Sequence, residues 1–241
     1  MKMIQLKQVL RNKRFLLFTI FVPVIWYVFI SNVQKGVLPN IVFGIAVFIG
    51  IIGNSLATFS KRIATNIEFY SFESRFTSYA VKDYLLDQML VQLALNTLIF
   101  ISVFAFAVSF FNLHVTTSLV VQFLLLTVMG IYFSIIGFVL GVRVDAKTLD
   151  TISFPAIILA AMTIIPFASL GADGGFIGAV SKIQMIFPGY YYSEIVTAIS
   201  SGHPVDSKDV MLFLIVFILN IIPLYLIVPR VKNQGYIAIE T

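Results

Sequence analysis

Few side chains in this chain are suited to acid–base or metal chemistry, and they are scattered. His114 and His203 are isolated in outer loops, far apart in the sequence, and no metal site is expected from them. There is no Cys, which removes thiolate chemistry, disulfides and Cys-based metal sites. The glycine-rich stretch GADGGFIG lacks the lysine of a nucleotide-binding GxxxxGK[ST] loop and reads as a flexible turn. Neither HExxH nor GxSxG occurs. What remains is hydrogen-bonding chemistry. Gln88, Gln92 and Asn96 recur at i, i+4 and i+8, which aligns them on one face of a helix. Amides inside a membrane must find partners. Either they bond neighbouring helices, or they line a polar translocation path.

The elements that position these amides follow from composition. The 241 residues are 59% hydrophobic and 11% charged, with a mean hydropathy of +1.00. A soluble domain carries roughly 25% charged residues, so the class is an integral membrane protein. A helix needs about 20 apolar residues to cross the hydrocarbon core. Six runs qualify: Phe15–Val33, Val37–Phe59, Gln88–Phe111, Thr117–Val142, Thr151–Ala172 and Val210–Pro229. They are continuous rather than alternating, which favours helices over a barrel. The first run carries Trp26 and Tyr27 near its far end and lacks a small-residue cleavage pattern, so it reads as a retained span.

Basic residues set the orientation. Lys2, Lys7, Arg11, Lys13 and Arg14 precede span one. Lys61, Arg62, Arg75 and Lys82 follow span two, Arg143 and Lys147 follow span four, and Arg230 and Lys232 follow span six. Of the 16 Lys and Arg residues, only Lys35, Lys182 and Lys208 fall on the other side. The positive-inside rule places both termini in the cytoplasm. The net charge of +5 is thus a topology signal, and no nucleic-acid partner is expected.

The expected fold is one all-α permease-like domain over residues 1–241, with six transmembrane helices. Residues 1–14 form an amphipathic interfacial helix and 15–59 hold spans one and two. A charged cytoplasmic segment covers 60–87, and spans three and four cover 88–142. A short inner loop at 143–150 leads to span five at 151–172. An outer re-entrant helical hairpin at 173–209, with Tyr190, Tyr191 and Tyr192 at headgroup level, precedes span six at 210–229 and a cytoplasmic tail at 230–241. Small residues recur at helical spacing in span two (Gly50, Gly53) and span four (Gly130, Gly137, Gly141). They either pack helices within one subunit or form a dimer seam.

The segment SKRIATNIEFYSFESRFTSYAVKDYLLD, residues 60–87, is read as a short cytoplasmic helix. Ile63, Ile67 and Tyr70, with Phe69, Phe72 and Phe76, fall at helical spacings. Charges rim this aromatic face, and its acids balance its bases. The form is that of a helix docking into a protein groove rather than onto anionic lipid. No ionisable residue lies inside the spans, whereas ion-driven carriers usually bury such groups. Any transport energy is therefore expected from another chain.

This arrangement resembles the ABC-2 type transporter permeases over nearly the full chain. The resemblance rests on the basic helix at Met1–Arg14, six spans with both termini inside, the long segment between spans two and three, the inner loop RVDAKTLD, and the hairpin around IFPGYYYSEI. It implies an exporter subunit without a catalytic site of its own. Two copies of an ATP-binding subunit would hold ATP and magnesium, and a second permease copy would complete the assembly. Ile67–Arg75 would be the coupling region, with Ile67, Glu68, Phe69, Tyr70, Phe72, Glu73 and Arg75 as docking residues. The implied location is a bacterial cell membrane. Cargo would be hydrophobic or amphipathic: an antimicrobial peptide, a drug or a lipid-like molecule. A stand-alone secondary carrier and a non-transporting sensor or scaffold are the competing readings.

Overall fold

The computed structural model describes residue 11 and residues 17–33, 38–73, 81–165 and 175–227. Among them all regular structure is helical, as expected of a chain whose apolar runs must satisfy their own backbone groups in lipid. A π-helical turn, Leu17–Phe21, leads into α1 (Val22–Val33). Helix α2 (Pro39–Gly53) opens with proline at its first position, where no N–H is needed. A π-helical stretch, Asn54–Phe59, joins it without a break to α3 (Ser60–Glu73). Then come α4 (Val81–Phe111), α5 (Thr117–Arg143), α6 (Ala146–Met162), α7 (Gly175–Gln184), α8 (Pro188–Ser200) and α9 (Ser207–Ile227).

Among the described residues, four helices are long and apolar enough to cross a membrane: Pro39–Asn66, Leu86–Phe111, Thr117–Arg143 and Ser207–Leu224. The first is the centre of the bundle, with 78% of its apolar stretch buried, against 6% for Ser207–Leu224. Helices α1, α4, α5, α6 and α8 all pack on α2. Phe43 and Phe48 of α2 are fully buried and meet Phe100 and Phe133 edge-to-face at 5.1 and 5.4 Å. Such pairs add about 0.5–1.5 kcal/mol beyond area burial.

The ends of the helices have identifiable causes. Asn112 closes α4 in the left-handed region (φ 52°), and the Leu113 N–H reaches back to the Ala107 carbonyl (3.3 Å). Asp145 caps α6 by accepting from the Thr148 N–H (2.9 Å) and hydroxyl (2.6 Å). The Thr148 hydroxyl, and then its N–H, hold the Asp145 carboxyl below the usual aspartate range.

Several expected boundaries shift. Span two does not end before the charged segment, because the helix runs on from Pro39 to Glu73. The inner loop expected at 143–150 shrinks to Val144–Asp145, since the Asp145 cap starts α6 early. The helix expected over Thr151–Ala172 stops at Met162, and its last carbonyls are taken by a side chain. The Gln184 amide donates to Met162 (2.6 Å) and to Ile165 (2.8 Å). Met1–Leu10, Asn12–Arg14 and the tail from residue 228 lie outside the described residues.

The stretch before α9 is a helical hairpin, α7 and α8, with its tip at Met185–Phe187. Tyr192 of α8 lies beside Gly44, five residues into α2. The tyrosines do not form a headgroup belt. Tyr191 and Tyr192 are 8% and 2% exposed and pack into the protein core, because α8 is wedged against α2, α5 and α9.

Candidate functional site

The polar face of α4 meets the π-helical stretch of the central helix. Gln88, Gln92 and Asn96 are all buried, and so are Asn54 and Ser55 opposite them. Asn54 donates its side-chain amide to Asn96 Oδ1 (3.3 Å). The Gln92 amide donates to Ser55 Oγ and to Asn96 Oδ1, both at 3.4 Å. The Arg62 guanidinium donates to Gln92 Oε1 (3.5 Å) and lies over the Phe59 ring at 5.2 Å. A connected polar chain therefore runs from Arg62 inward to Asn96 and Asn54. Its bonds are all at the long end of the hydrogen-bond range.

Among the described residues, Asn54 Oδ1, Asn96 Nδ2 and Gln88 Oε1 are buried without a hydrogen-bond partner. Each such group costs about 1–3 kcal/mol. The cluster is therefore incompletely satisfied in this arrangement. A crevice beside Asn96 is lined by Thr97, Phe100, Phe123 and Thr127.

Helix α5 supplies the seat for this cluster through its glycines. A Cβ at Gly130 would lie 2.6 Å from Asn96 Nδ2. A Cβ at Gly137 would collide with the Ser55 carbonyl, and one at Gly141 with the Ser60 carbonyl and, at 2.7 Å, with Ile63. One turn before Asn54 on α2, Gly50 faces Pro23 and Ile99, and Gly53 is buried immediately before the π stretch. The places just described for these glycines are contacts between helices of one chain.

Toward the Lys61 end, α3 packs on α5 and α6. Lys61 pairs with Asp150, and the Ser153 hydroxyl, which donates to the Leu149 carbonyl of its own helix, lies 3.5 Å from the Leu56 carbonyl within the π stretch. Of the expected docking residues, Ile67, Glu68, Phe69, Tyr70, Phe72 and Glu73 fall on the helical backbone of α3, and their side chains lie outside the described part. Arg75 lies outside the described residues altogether.

Sequence reasoning missed a second polar chain near the start of α2. The Thr116 and Ser118 hydroxyls share a hydrogen bond (2.6 Å), Asn40 donates to Ser118 (3.1 Å), and Gln122 donates to the Asn40 carbonyl (3.0 Å). It also missed Asn54 and Asn220. The signal was the same one that singled out Asn96, an amide within an apolar run, but neither has a second amide at helical spacing in its span. Among the described residues no group of His, Asp and Glu side chains converges as metal ligands would. Compared with protein-family models, curated proteins and solved structures, the chain finds no match, so its functional reading rests on the residues and geometry above.

Proposed function

We propose that this chain is the transmembrane permease subunit of an ATP-binding cassette exporter of the ABC-2 type. It would have six spans with both termini in the cytoplasm of a bacterial cell. Two such subunits would form the pathway, and two separate ATP-binding subunits would hold ATP and magnesium. The docking element would be the C-terminal half of α3, Ile67–Glu73 with Arg75 beyond it. One observation carries this reading: α2 and α3 are a single unbroken helix. A displacement of Ser60–Glu73 reaches the most buried span through continuous helix, with no loop between them. The amides at Gln88, Gln92 and Asn96 would then respond to that motion from the inside, and cargo would be hydrophobic or amphipathic.

The test is charge reversal at the docking element. Glu73→Arg and Arg75→Glu, each expressed with the ATP-binding subunit, should insert normally. Both should lose most of the permease-stimulated ATP hydrolysis. Undiminished stimulation in both variants would remove α3 as the docking element. Gradient-driven cargo movement by the chain alone would favour a secondary carrier instead.

A further inference from the structure

We propose that Asn54–Phe59 is a two-state joint whose π-helical form is held by neighbouring helices and whose conversion to α-helix turns α3 relative to α2. A π-helical run of this length is rare and occurs where surrounding structure imposes it. Here each hold comes from another helix. Gly137 and Gly141 admit the Ser55 and Ser60 carbonyls. The Ser153 hydroxyl, which donates to the Leu149 carbonyl of its own helix, packs 3.5 Å from the Leu56 carbonyl. Gln92 and Asn96 hold Ser55 and Asn54 (3.4 and 3.3 Å). Against these stand Asn54 Oδ1 and Asn96 Nδ2, buried without partners among the described residues. The held form is thus strained at the very residues that hold it, which is the condition for a second state close in energy.

Conversion would replace i→i+5 bonds by i→i+4 bonds over six residues and rotate whatever follows by on the order of 100°. Arg62 would leave Gln92, and Ile63 would leave Gly141. A push on α3 is thereby read at Gln92, and a change at Gln92 is felt in α3. The inference takes from the exporter reading only the source of the push. The joint itself works without any ATPase, so the two can fail separately.

The test uses the full chain in lipid bilayers with no partner present. The dipeptides Asn54–Ser55 and Thr58–Phe59 each occur once in the sequence. Pairwise isotope labelling therefore gives one solid-state NMR carbonyl–nitrogen peak for each. With no native cysteine, Thr65→Cys on α3 and Val120→Cys on α5 carry spin labels for a distance measurement. Wild type should show one Thr58–Phe59 peak and one distance. Ser55→Ala, which removes the hydroxyl that Gln92 bonds, and Gln92→Leu should each add a second peak and a second distance, in matching proportion. Single peaks in both variants overturn the joint. So does a new distance without a new peak, which would mean that α3 swings as a rigid rod. If Gln92→Leu fails to insert, Ser55→Ala, which removes only one hydroxyl, decides alone on the Thr58–Phe59 peak.

Discussion

The side-chain amide of Asn220 donates to the backbone carbonyl of Ile186 at 2.9 Å, pinning the tip of the α7–α8 hairpin to the middle of α9. Its oxygen accepts from the Tyr132 hydroxyl of α5 (3.3 Å), so one amide joins three elements. The tip's backbone is non-helical, and the Asn220 amide satisfies one of its carbonyls. Asn220→Leu should destabilise the chain by about 0.6–2 kcal/mol. Its melting temperature in detergent should fall, and amide exchange at Met185–Phe187 should rise first. Unchanged exchange at the tip would show that the bond carries no load.

Gly137 and Gly141 allow backbone contact between α5 and the π stretch. Gly137→Leu forces a side chain against the Ser55 carbonyl and should cost about 1–3 kcal/mol or more, as overpacking does. Gly178 faces open space, so Gly178→Ala should leave stability unchanged or raise it by up to about 1 kcal/mol. Thermal unfolding of the two variants side by side checks the contrast.

A Cβ on Gly44 would lie 2.6 Å from the Tyr192 hydroxyl, which is buried without a hydrogen-bond partner among the described residues. Tyr192→Phe should therefore be neutral or mildly stabilising, within about 0.5 kcal/mol. Gly44→Ala should destabilise in the wild-type background and much less in the Tyr192→Phe background. A double-mutant cycle by thermal unfolding measures that coupling. Additive effects would mean that the two positions do not meet.

The Asp145 cap is pH-dependent. Its folded-state affinity for a proton lies below the ordinary value of 3.8, because Thr148 bonds the carboxylate. A depressed carboxylate contributes fully above its unfolded value and loses that contribution as pH falls through the folded one. The protection of Ala146–Asp150 amides, exchange measured relative to the intrinsic rate at each pH, should thus be high at neutral pH and fall below about pH 4, given the reference aspartate value. In Asp145→Asn that fall in protection on acidification should disappear.

The long spans were legible because a membrane leaves little choice of pattern: α5 matches its apolar run at both ends and α4 at Phe111, whereas α4 starts at Val81, seven residues before its run, among charged residues that carry no apolar signal. The polar face at Gln88, Gln92 and Asn96 was legible from spacing alone. Its partner was not, because Asn54 and Ser55 stand in a run whose helical type depends on Gly137, Gly141 and Ser153 in other helices. A π-helical stretch leaves almost no local signature, so Lys61 and Arg62 read as the end of a span when the helix continues through them. The burial of Tyr192 was hidden for the same reason. Three consecutive tyrosines suit a headgroup belt by composition, and only the small Gly44 opposite makes room for one of them inside.

The central claim is that motion enters through α3 from a separate ATP-binding subunit. Its most direct test is to isolate the tagged full chain from its native membranes in mild detergent and assay the preparation for ATP hydrolysis and composition. The account predicts an equimolar protein bearing a GxxxxGK[ST] loop, ATPase activity in the complex, and loss of both when the chain carries Glu73→Arg. A chain that purifies without such a subunit from membranes that retain it, or one in which Glu73→Arg keeps the full complement and activity, would contradict the account.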